Sequence, residues 1–155
     1  IGFAMRSWSR RKKSQPGVKS FAGLEHLDEF LAGCEILVCL LPLTPDTEGI
    51  INRRTLNALP QGACLINGAR GGLVVEPDLI AALESGRLGQ AILDVTREEP
   101  LPADDPLWRA PNITITPHIA SITNAASGAR LVAENIRRIR AGEVPHHLVD
   151  PKVGY

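Results

Sequence analysis

Three short apolar runs constrain the fold of this chain more than any other feature of its sequence. They are Ile36–Leu40, Ala63–Asn67 and Ala91–Asp94, and each is mostly continuous in apolar residues rather than alternating with polar ones. Strands of this kind are typical of parallel sheets whose two faces are both covered by helices. The sequence therefore predicts an α/β fold built on a doubly wound parallel sheet.

Segments with helical periodicity alternate with these runs. Glu76–Ser85 has Pro77 in its first turn and Gly86 just past its end, which is the usual asymmetry of helix ends. A longer helix is predicted over Asn124–Ala141, and residues 143–155 are predicted to form an extended tail. The remaining predicted elements are strands at Phe3–Trp8, Val18–Phe21 and Ile113–Thr116, and helices at Leu24–Ala32 and Asn52–Leu59.

Charge and cysteine content narrow the classes of partner and location. The 17 basic residues balance the 17 acidic ones, so no global field favours nucleic acid or an acidic membrane. The longest apolar run, Ile36–Leu41, stops at Pro42 and is too short to span a bilayer. Three cysteines without paired spacing, and no visible signal peptide, predict a cytoplasmic protein with no metal site.

Charged side chains follow the ends of the predicted strands. Arg70, Asp94 and His118 each come at or just after such an end, and Glu98 and Glu99 lie on the loop that leaves Asp94. Ligands of open parallel sheets bind beyond the carboxyl ends of the strands. Taken singly, these residues are more commonly a satisfied structural histidine, a rim ion pair, a turn cap and solvated acids. Their joint placement at one edge favours an active site.

These residue types suit a substrate that carries a carboxylate beside a carbonyl. An arginine fork binds a carboxylate through two parallel charge-assisted hydrogen bonds, and Arg70 offers such a fork. A glutamate next to a histidine stabilises the imidazolium, so His118 could protonate an oxygen of the substrate. The hydride for such a reduction would come from a cofactor.

The role of the basic stretch WSRRKKS, residues 8–14, can be interpreted in three ways. A solvated turn is the commonest role of such a run, and nucleic-acid binding lacks support because no aromatic residues are interleaved. Its position after a predicted strand suggests a third interpretation, a site for the ribose of a dinucleotide cofactor. At this position of a dinucleotide-binding fold, an acid binds the ribose 2′-hydroxyl of NAD, whereas an arginine accommodates the 2′-phosphate of NADP. Ser9 followed by Arg10, with no acid, favours NADP over NAD.

Four segments together resemble the D-isomer-specific 2-hydroxyacid dehydrogenases, in particular the bacterial glyoxylate/hydroxypyruvate reductases. They occur in family order and spacing over nearly the whole chain, and they read LLPLTPDTEGIIN, LINGARGGLVVEPDLIAALESGRLGQAILDV, EEPLPADDPLW and ITITPHIAS. The resemblance implies a Rossmann-type fold and an oxidoreductase that reduces small 2-oxo acids to 2-hydroxy acids. It further implies NADPH as the cofactor, with NAD possible, and a homodimer.

The resemblance also implies roles for individual residues. Arg70 corresponds to the arginine that binds the substrate carboxylate, His118 to the acid/base histidine, and Glu99 to the glutamate that pairs with it. Asp94 matches the aspartate that contacts the nicotinamide carboxamide. Thr96 stands where many members carry phenylalanine, which alters the expected shape of the pocket. The other cofactor-lining positions implied by the resemblance are Ser9, Arg10, Leu41, Pro42, Gly68 and Ala69.

Several parts of the family pattern are absent from the sequence. The substrate domain, the first strand of the dinucleotide fold and its Gly-rich loop have no counterpart, and the missing strand is the central one of the sheet. The chain begins with Ile1 rather than methionine. We therefore expect a C-terminal fragment, inactive alone, in which the gap is closed by a rearranged or intermolecular pairing or the remainder is lost.

The expected organisation is an incomplete dinucleotide-binding domain over residues 1–142 and a tail over residues 143–155 that returns toward the absent substrate domain. An alternative function is a non-catalytic dinucleotide-binding module, similar to co-repressors related to this family. The set Arg70, Glu99 and His118 argues against binding alone. No role follows from the sequence for His146 and His147.

Overall fold

The computed structural model describes residues 2–121 and 124–150, and these residues form parallel strands and helices in alternation. The strands are β1 (Met5–Ser9), β2 (Val18–Ala22), β3 (Ile36–Cys39), β4 (Ala63–Asn67), β5 (Leu88–Leu93) and β6 (Ile113–Ile115). The helices are α1 (Leu27–Leu31), α2 (Arg53–Ala58), α3 (Glu76–Glu84) and α4 (Ala125–Arg140), and short 3-10 turns cover Leu24–His26, Gly71–Leu73 and Pro106–Arg109. The chain divides into two compact units, Ile1–His118 and Ile119–Tyr155.

The strands of the first unit form two sheets. β1 pairs with β2, and β3, β4, β5 and β6 follow one another in a second sheet, with every pairing parallel. Within the described part of the chain no strand joins β1 to β3, so each of these two strands has one unpaired edge. The parallel sheets with intervening helices confirm the predicted α/β class of the Rossmann type.

The core of the first unit lies against one face of the four-stranded sheet. Leu65 of β4 and Ala91 of β5 are register partners on that face, and both are fully buried together with Leu79 of α3. The opposite face is more open, since Ile36 is 48% and Val38 51% exposed on β3. Within this unit, the packing expected of a sheet covered on both faces is therefore complete on one face only.

Local sequence signals explain where the helices begin and end. The side chain of Asn52 accepts from the backbone N–H groups of Arg54 (3.0 Å) and Thr55 (3.3 Å), while the Thr55 hydroxyl accepts from the Asn52 N–H at 2.9 Å. This reciprocal capping starts α2. After α3, Gly86 has a φ of 68°, a left-handed conformation that ends helices readily in glycine.

Most predicted elements lie within two residues of the observed bounds, and two differ by three residues at their start. The helix predicted over Leu24–Ala32 is a 3-10 turn followed by the short helix α1, because His26, the last residue of the turn, has φ −104° and ψ 2°, outside the α-helical region. Strand β5 starts at Leu88 rather than Ala91. Gly89 and Gln90 interrupt its apolar run, which hid the first half of the strand from the sequence pattern.

The second unit consists of α4 and a returning segment. Asn124 caps the helix by accepting from the Ser127 N–H at 3.0 Å. The side chain of Asn135 accepts from the His146 N–H (2.8 Å) and donates to the His146 carbonyl (3.2 Å), and Arg138 Nε donates to the Val144 carbonyl at 2.7 Å. The first part of the predicted tail is thus bound to α4. Residues 151–155 of that tail lie outside the described residues.

Candidate active site

Backbone hydrogen bonds align the segments that follow β4, β5 and β6. The Asp94 N–H donates to the Asn67 carbonyl at 2.9 Å, and the His118 N–H donates to the Asp94 carbonyl at 2.9 Å. These bonds continue the parallel ladder beyond the ends of the strands. Asp94 and His118, predicted from the sequence to lie at one edge of the sheet, are therefore brought together at its carboxyl edge.

His118 and Glu99 form a hydrogen-bonded pair. His118 Nδ1 lies 2.8 Å from Glu99 Oε2, and both side chains are partly open to solvent. A carboxylate only accepts, so the Nδ1–H of the ring is the donor, and Nε2 is left as the nitrogen that faces other partners. His118 has a φ of 54°, which is a strained conformation for a residue with a Cβ, and such strain is common at functional sites.

The environment of Glu99 favours its charged form. The hydrogen bond from His118 is the main reason why the pKa of the Glu99 carboxyl lies below its ordinary value; burial opposes this to a smaller extent. The Thr96 N–H, which donates to Glu99 Oε1 at 3.1 Å, and the positive charges of His118 and Arg70 also lower this pKa. Glu99 is thus a carboxylate at neutral pH, ready to hold a donating imidazole.

The loop that carries Arg70 is shaped by Asn67, which the sequence reasoning missed. Asn67 is 0% exposed; its side chain accepts from the Ala69 N–H (3.2 Å) and donates to the Arg70 carbonyl (3.0 Å). An asparagine that ends an apolar strand and precedes Gly68 is a signal for such a local side-chain turn. The buried amide fixes where the backbone of the loop turns back.

Arg70 itself is exposed, and its guanidinium donates to the Ala69 carbonyl at 2.6 Å. No carboxylate in the described part of the chain forms an ion pair with it, so the reading of Arg70 as half of a rim ion pair is not supported. The pKa of Glu99 is lowered mainly by the hydrogen bond from His118, and the charge of Arg70 is the smallest of the influences on it. An arginine in this setting has donors to offer to an anion.

Gly71 lets the Arg70 loop lie directly on the segment that leads to Glu99. A Cβ at Gly71 would come within 2.0 Å of the carbonyl carbon and oxygen of Thr96. Backbone atoms cannot move aside as a flexible side chain does, so only glycine fits here. The loop of Arg70 and the turn of Glu99 are therefore packed backbone to backbone.

We expect Gly71→Ala to lower the free energy of unfolding by about 1–3 kcal/mol, because the added methyl group overpacks this contact. Gly72→Ala is the matched control: its Cβ would come within 3.0 Å of Leu43 Cδ2, the end of a side chain that can rotate away. Chemical denaturation of the two variants measures the difference. Equal stability of Gly71→Ala and Gly72→Ala would contradict the packing described.

A cavity of about 600 Å³ lies beside the histidine–glutamate pair. Its lining residues are Asp94, Thr96, Glu99, Pro100, Leu101, Trp108, Ile115, Thr116, Pro117 and His118. The polar groups lie at Asp94, the Thr96–Glu99 turn and Thr116–His118, while Leu101, Trp108 and Ile115 supply apolar wall. Arg70 does not line this cavity, although its charge reaches Glu99. Ligand sites typically combine apolar walls with a few polar groups in this way.

Asp94 is buried, and its Oδ1 accepts from the Thr116 hydroxyl at 2.5 Å. After β3, Leu41 is half-buried and Pro42 exposed; the Thr47 hydroxyl donates to the Pro42 carbonyl at 2.6 Å and holds that loop. The remaining positions expected to contact a cofactor are Gly68, half-buried, and Ala69, buried. These residues follow the ends of β3, β4 and β5.

The end of β1 carries the basic stretch. The Ser9 hydroxyl donates to the Arg11 carbonyl at 2.7 Å, and Arg10 is exposed. No acidic residue occurs before Glu25 in the sequence. The segment after β1 therefore carries basic side chains and no carboxylate, as a phosphate-binding role requires.

In residues 2–121 and 124–150 no helix is long and apolar enough to cross a membrane. The same residues contain no group of three or more His, Cys, Asp or Glu side chains placed to hold a metal ion.

Parallel sheets with intervening helices are the framework of a dinucleotide-binding domain of the Rossmann type. The chain belongs to the D-isomer specific 2-hydroxyacid dehydrogenase family, because a model of this family's NAD binding domain matches residues 1–120. This confirms the resemblance found in the sequence motifs.

Solved structures agree with the family assignment. A D-isomer specific 2-hydroxyacid dehydrogenase from Xanthobacter autotrophicus Py2, in complex with NADPH and MES, is 52% identical with a TM-score of 0.96, over 99% of this chain and 64% of that one. An NADPH-dependent glyoxylate/hydroxypyruvate reductase from Sinorhizobium meliloti, in complex with NADP and sulfate, is 39% identical with a TM-score of 0.93, over 99% and 50%.

A probable 2-hydroxyacid dehydrogenase from Rhizobium etli CFN 42, in complex with NADP, HEPES and L(+)-tartaric acid, is also 39% identical, with a TM-score of 0.91 over 99% of this chain and 50% of that one. The chain thus spans between 50% and 64% of the length of these three structures.

Proposed function

We propose that this chain is the cofactor-binding portion of an NADPH-dependent reductase of small 2-oxo acids such as glyoxylate and hydroxypyruvate. The observation that carries the proposal is the Glu99–His118 pair at the carboxyl edge of the sheet, whose carboxylate also feels the charge of Arg70. An acid/base histidine, and an arginine with no ion-pair partner among the described residues, match the carbonyl and the carboxylate of a 2-oxo acid. The S. meliloti relative carries the corresponding name.

The residues present fit a dinucleotide with a 2′-phosphate. Ser9 and Arg10 would contact the phosphate, since an arginine after this strand accommodates a 2′-phosphate where an acid would bind the 2′-hydroxyl. The buried carboxyl group of Asp94 would accept from the carboxamide of the nicotinamide. The backbone around Leu41, Pro42, Gly68 and Ala69 would line the rest. When bound, the reduced nicotinamide supplies the hydride that goes to the 2-carbon.

The chain's own residues would bind the substrate and move a proton. Arg70 would bind the substrate carboxylate and fix the orientation of the carbonyl. Protonated His118 would donate from Nε2 to the oxygen of that carbonyl as negative charge develops on it. Glu99, bonded to Nδ1, keeps the ring oriented and stabilises its charged form through that step.

The 155-residue chain is proposed to be inactive by itself. The unpaired edges of β1 and β3 support this, as do the greater lengths of its relatives. The test uses a completed form, in which the part of the X. autotrophicus relative that lies outside the matched region is joined to this chain. NADPH oxidation with glyoxylate or hydroxypyruvate should occur with the completed form and not with the chain alone.

Two results would contradict parts of this proposal. NADPH binding without turnover of any 2-oxo acid in the completed form would favour the alternative of a non-catalytic dinucleotide-binding module. Turnover by the chain alone would refute only its inactivity.

We further propose a cytoplasmic homodimer, to which the exposed apolar side chains Val132, Ile136 and Ile139 of α4 would contribute. Sedimentation of the completed form tests the dimer.

Replacing Arg10 by alanine should weaken NADPH binding about tenfold or more, because charge-assisted hydrogen bonds to the 2′-phosphate are lost. NADH binding should change little. The control is Arg11→Ala, which removes an equal charge one residue further along the chain. Fluorescence titrations of the completed form with both cofactors measure the ratio. An unchanged ratio in Arg10→Ala, or an equal change in Arg11→Ala, would contradict the role of Arg10.

A further inference from the structure

The turn from Thr96 to Glu99 is closed by two hydrogen bonds that start from the same residue. The Thr96 hydroxyl donates to the Glu98 carbonyl at 2.7 Å, and the Thr96 N–H donates to Glu99 Oε1 at 3.1 Å. Thr96 is 7% exposed, so the donor side of both bonds is buried, whereas Glu98 and Glu99 are exposed. The hydroxyl fixes the backbone of the turn, and the backbone in turn holds the carboxylate.

Both oxygens of Glu99 are therefore occupied. Oε1 accepts from Thr96 and Oε2 accepts from His118 Nδ1 at 2.8 Å. A glutamate side chain that is open to solvent loses considerable rotamer freedom when it is held in one orientation. The hydrogen bond from the Thr96 N–H offsets part of this loss of side-chain entropy before Glu99 pairs with His118. The Glu99 carboxylate is in this sense preorganised for the pair.

Other contacts fix the rest of the turn, but they do not involve the Glu98 carbonyl. The Arg97 N–H donates to the Glu76 carboxylate at 2.8 Å, and Gly71 packs on the Thr96 carbonyl group. Neither contact reaches the Glu98 carbonyl. Among the contacts of the described residues, the hydrogen bond from the Thr96 hydroxyl is the one that holds the Glu98 carbonyl in place.

We propose that the hydroxyl group of Thr96 is a positioning group, which sets the Glu99 carboxylate in the orientation that pairs with His118. Thr96 acts through Glu99 and through the turn, and it is not itself assigned a step of the reaction. The inference deepens the proposed function, since the pair is the proposed acid/base unit, but its test requires no turnover.

Two variants separate the hydroxyl from the shape of the side chain. Thr96→Val keeps the branched shape and loses the donor, whereas Thr96→Ser keeps the donor and loses a methyl group. NMR of the 155-residue chain follows the His118 Nδ1–H proton and the titration of the Glu99 carboxyl. In Thr96→Val we expect loss of the resonance of the Nδ1–H that is bonded to Glu99 and a rise of the Glu99 pKa toward its ordinary value. Thr96→Ser should restore both.

A merely structural role predicts another pattern. If Thr96 only fills space, Thr96→Ser should perturb the pair as much as Thr96→Val or more, and that result would overturn the proposal. Retention of the Nδ1–H resonance in a folded Thr96→Val would overturn it as well. If Thr96→Val does not fold, Thr96→Ala, which also lacks the hydroxyl and adds no bulk, is compared with Thr96→Ser in its place.

In the completed form, kcat should fall about two- to tenfold in Thr96→Val, the effect of losing one hydrogen bond to a neutral carbonyl, with the KM for NADPH unchanged. Thr96→Ser should recover most of it. If the completed form proves inactive, the proposed function fails while the NMR result still decides the role of Thr96.

Discussion

Replacement of His118 by glutamine in the completed form is expected to lower kcat for 2-oxo acid reduction by about 10²- to 10⁴-fold, the usual contribution of a positioned acid or base. Glutamine retains hydrogen-bonding groups of similar reach but has no titratable proton to give. NADPH affinity should stay close to that of the parent, because His118 pairs with Glu99 rather than with a residue expected to hold the cofactor.

Steady-state kinetics and an NADPH titration measure the two quantities separately. His146→Gln is the matched control, since His146 lies in the second unit and its backbone, not its ring, is bonded to Asn135. A His118→Gln variant that retains the parent kcat would remove His118 from the chemistry. A fall in kcat matched by an equal fall in NADPH affinity would point to a cofactor contact instead.

Arg70→Lys is expected to reduce kcat/KM for glyoxylate by about 10- to 100-fold, since a point charge replaces a fork that makes two charge-assisted hydrogen bonds. The loss should disappear with an aldehyde substrate that has no carboxylate, because Arg70 then has nothing to bind. This comparison isolates the carboxylate from every other property of the enzyme.

The control for Arg70→Lys is Arg109→Lys, at an exposed arginine in the 3-10 turn beyond the cavity. Arg109→Lys should leave kcat/KM unchanged for both glyoxylate and the aldehyde substrate. An equal loss for acid and aldehyde substrates in Arg70→Lys would mean that the substitution disturbs the loop held by Asn67 rather than substrate recognition. No loss with either would refute the assignment.

The sheet was predictable from the sequence because buried parallel strands leave a strong local signal. The run Ala63–Asn67 has the same bounds in the structure as in the prediction. Strand β5 was predicted too short, since Gly89 and Gln90 break its apolar pattern although the backbone continues to pair. A pattern of side chains cannot report pairing that depends on the backbone alone.

The charged residues of the site were found from their positions after strand ends, but their supports were not. Asn67 and Thr96 act through bonds to nearby backbone atoms, and such bonds depend on the path of the turn rather than on residue type. The contact of Gly71 with Thr96 joins two segments far apart in sequence, so only the structure shows it. The sequence indicates which groups are reactive, and packing decides how they are held.

The most direct test of the central claim follows the transferred hydride. NADPH deuterated at the transferring position of the nicotinamide is incubated with glyoxylate and the completed form, and the product is analysed by mass spectrometry. The S. meliloti reductase serves as the positive control. We predict glycolate labelled at its 2-carbon, with the label strongly reduced in His118→Gln. Bound NADPH without labelled product, under conditions in which the control forms it, would contradict the assignment of this chain to 2-oxo acid reduction.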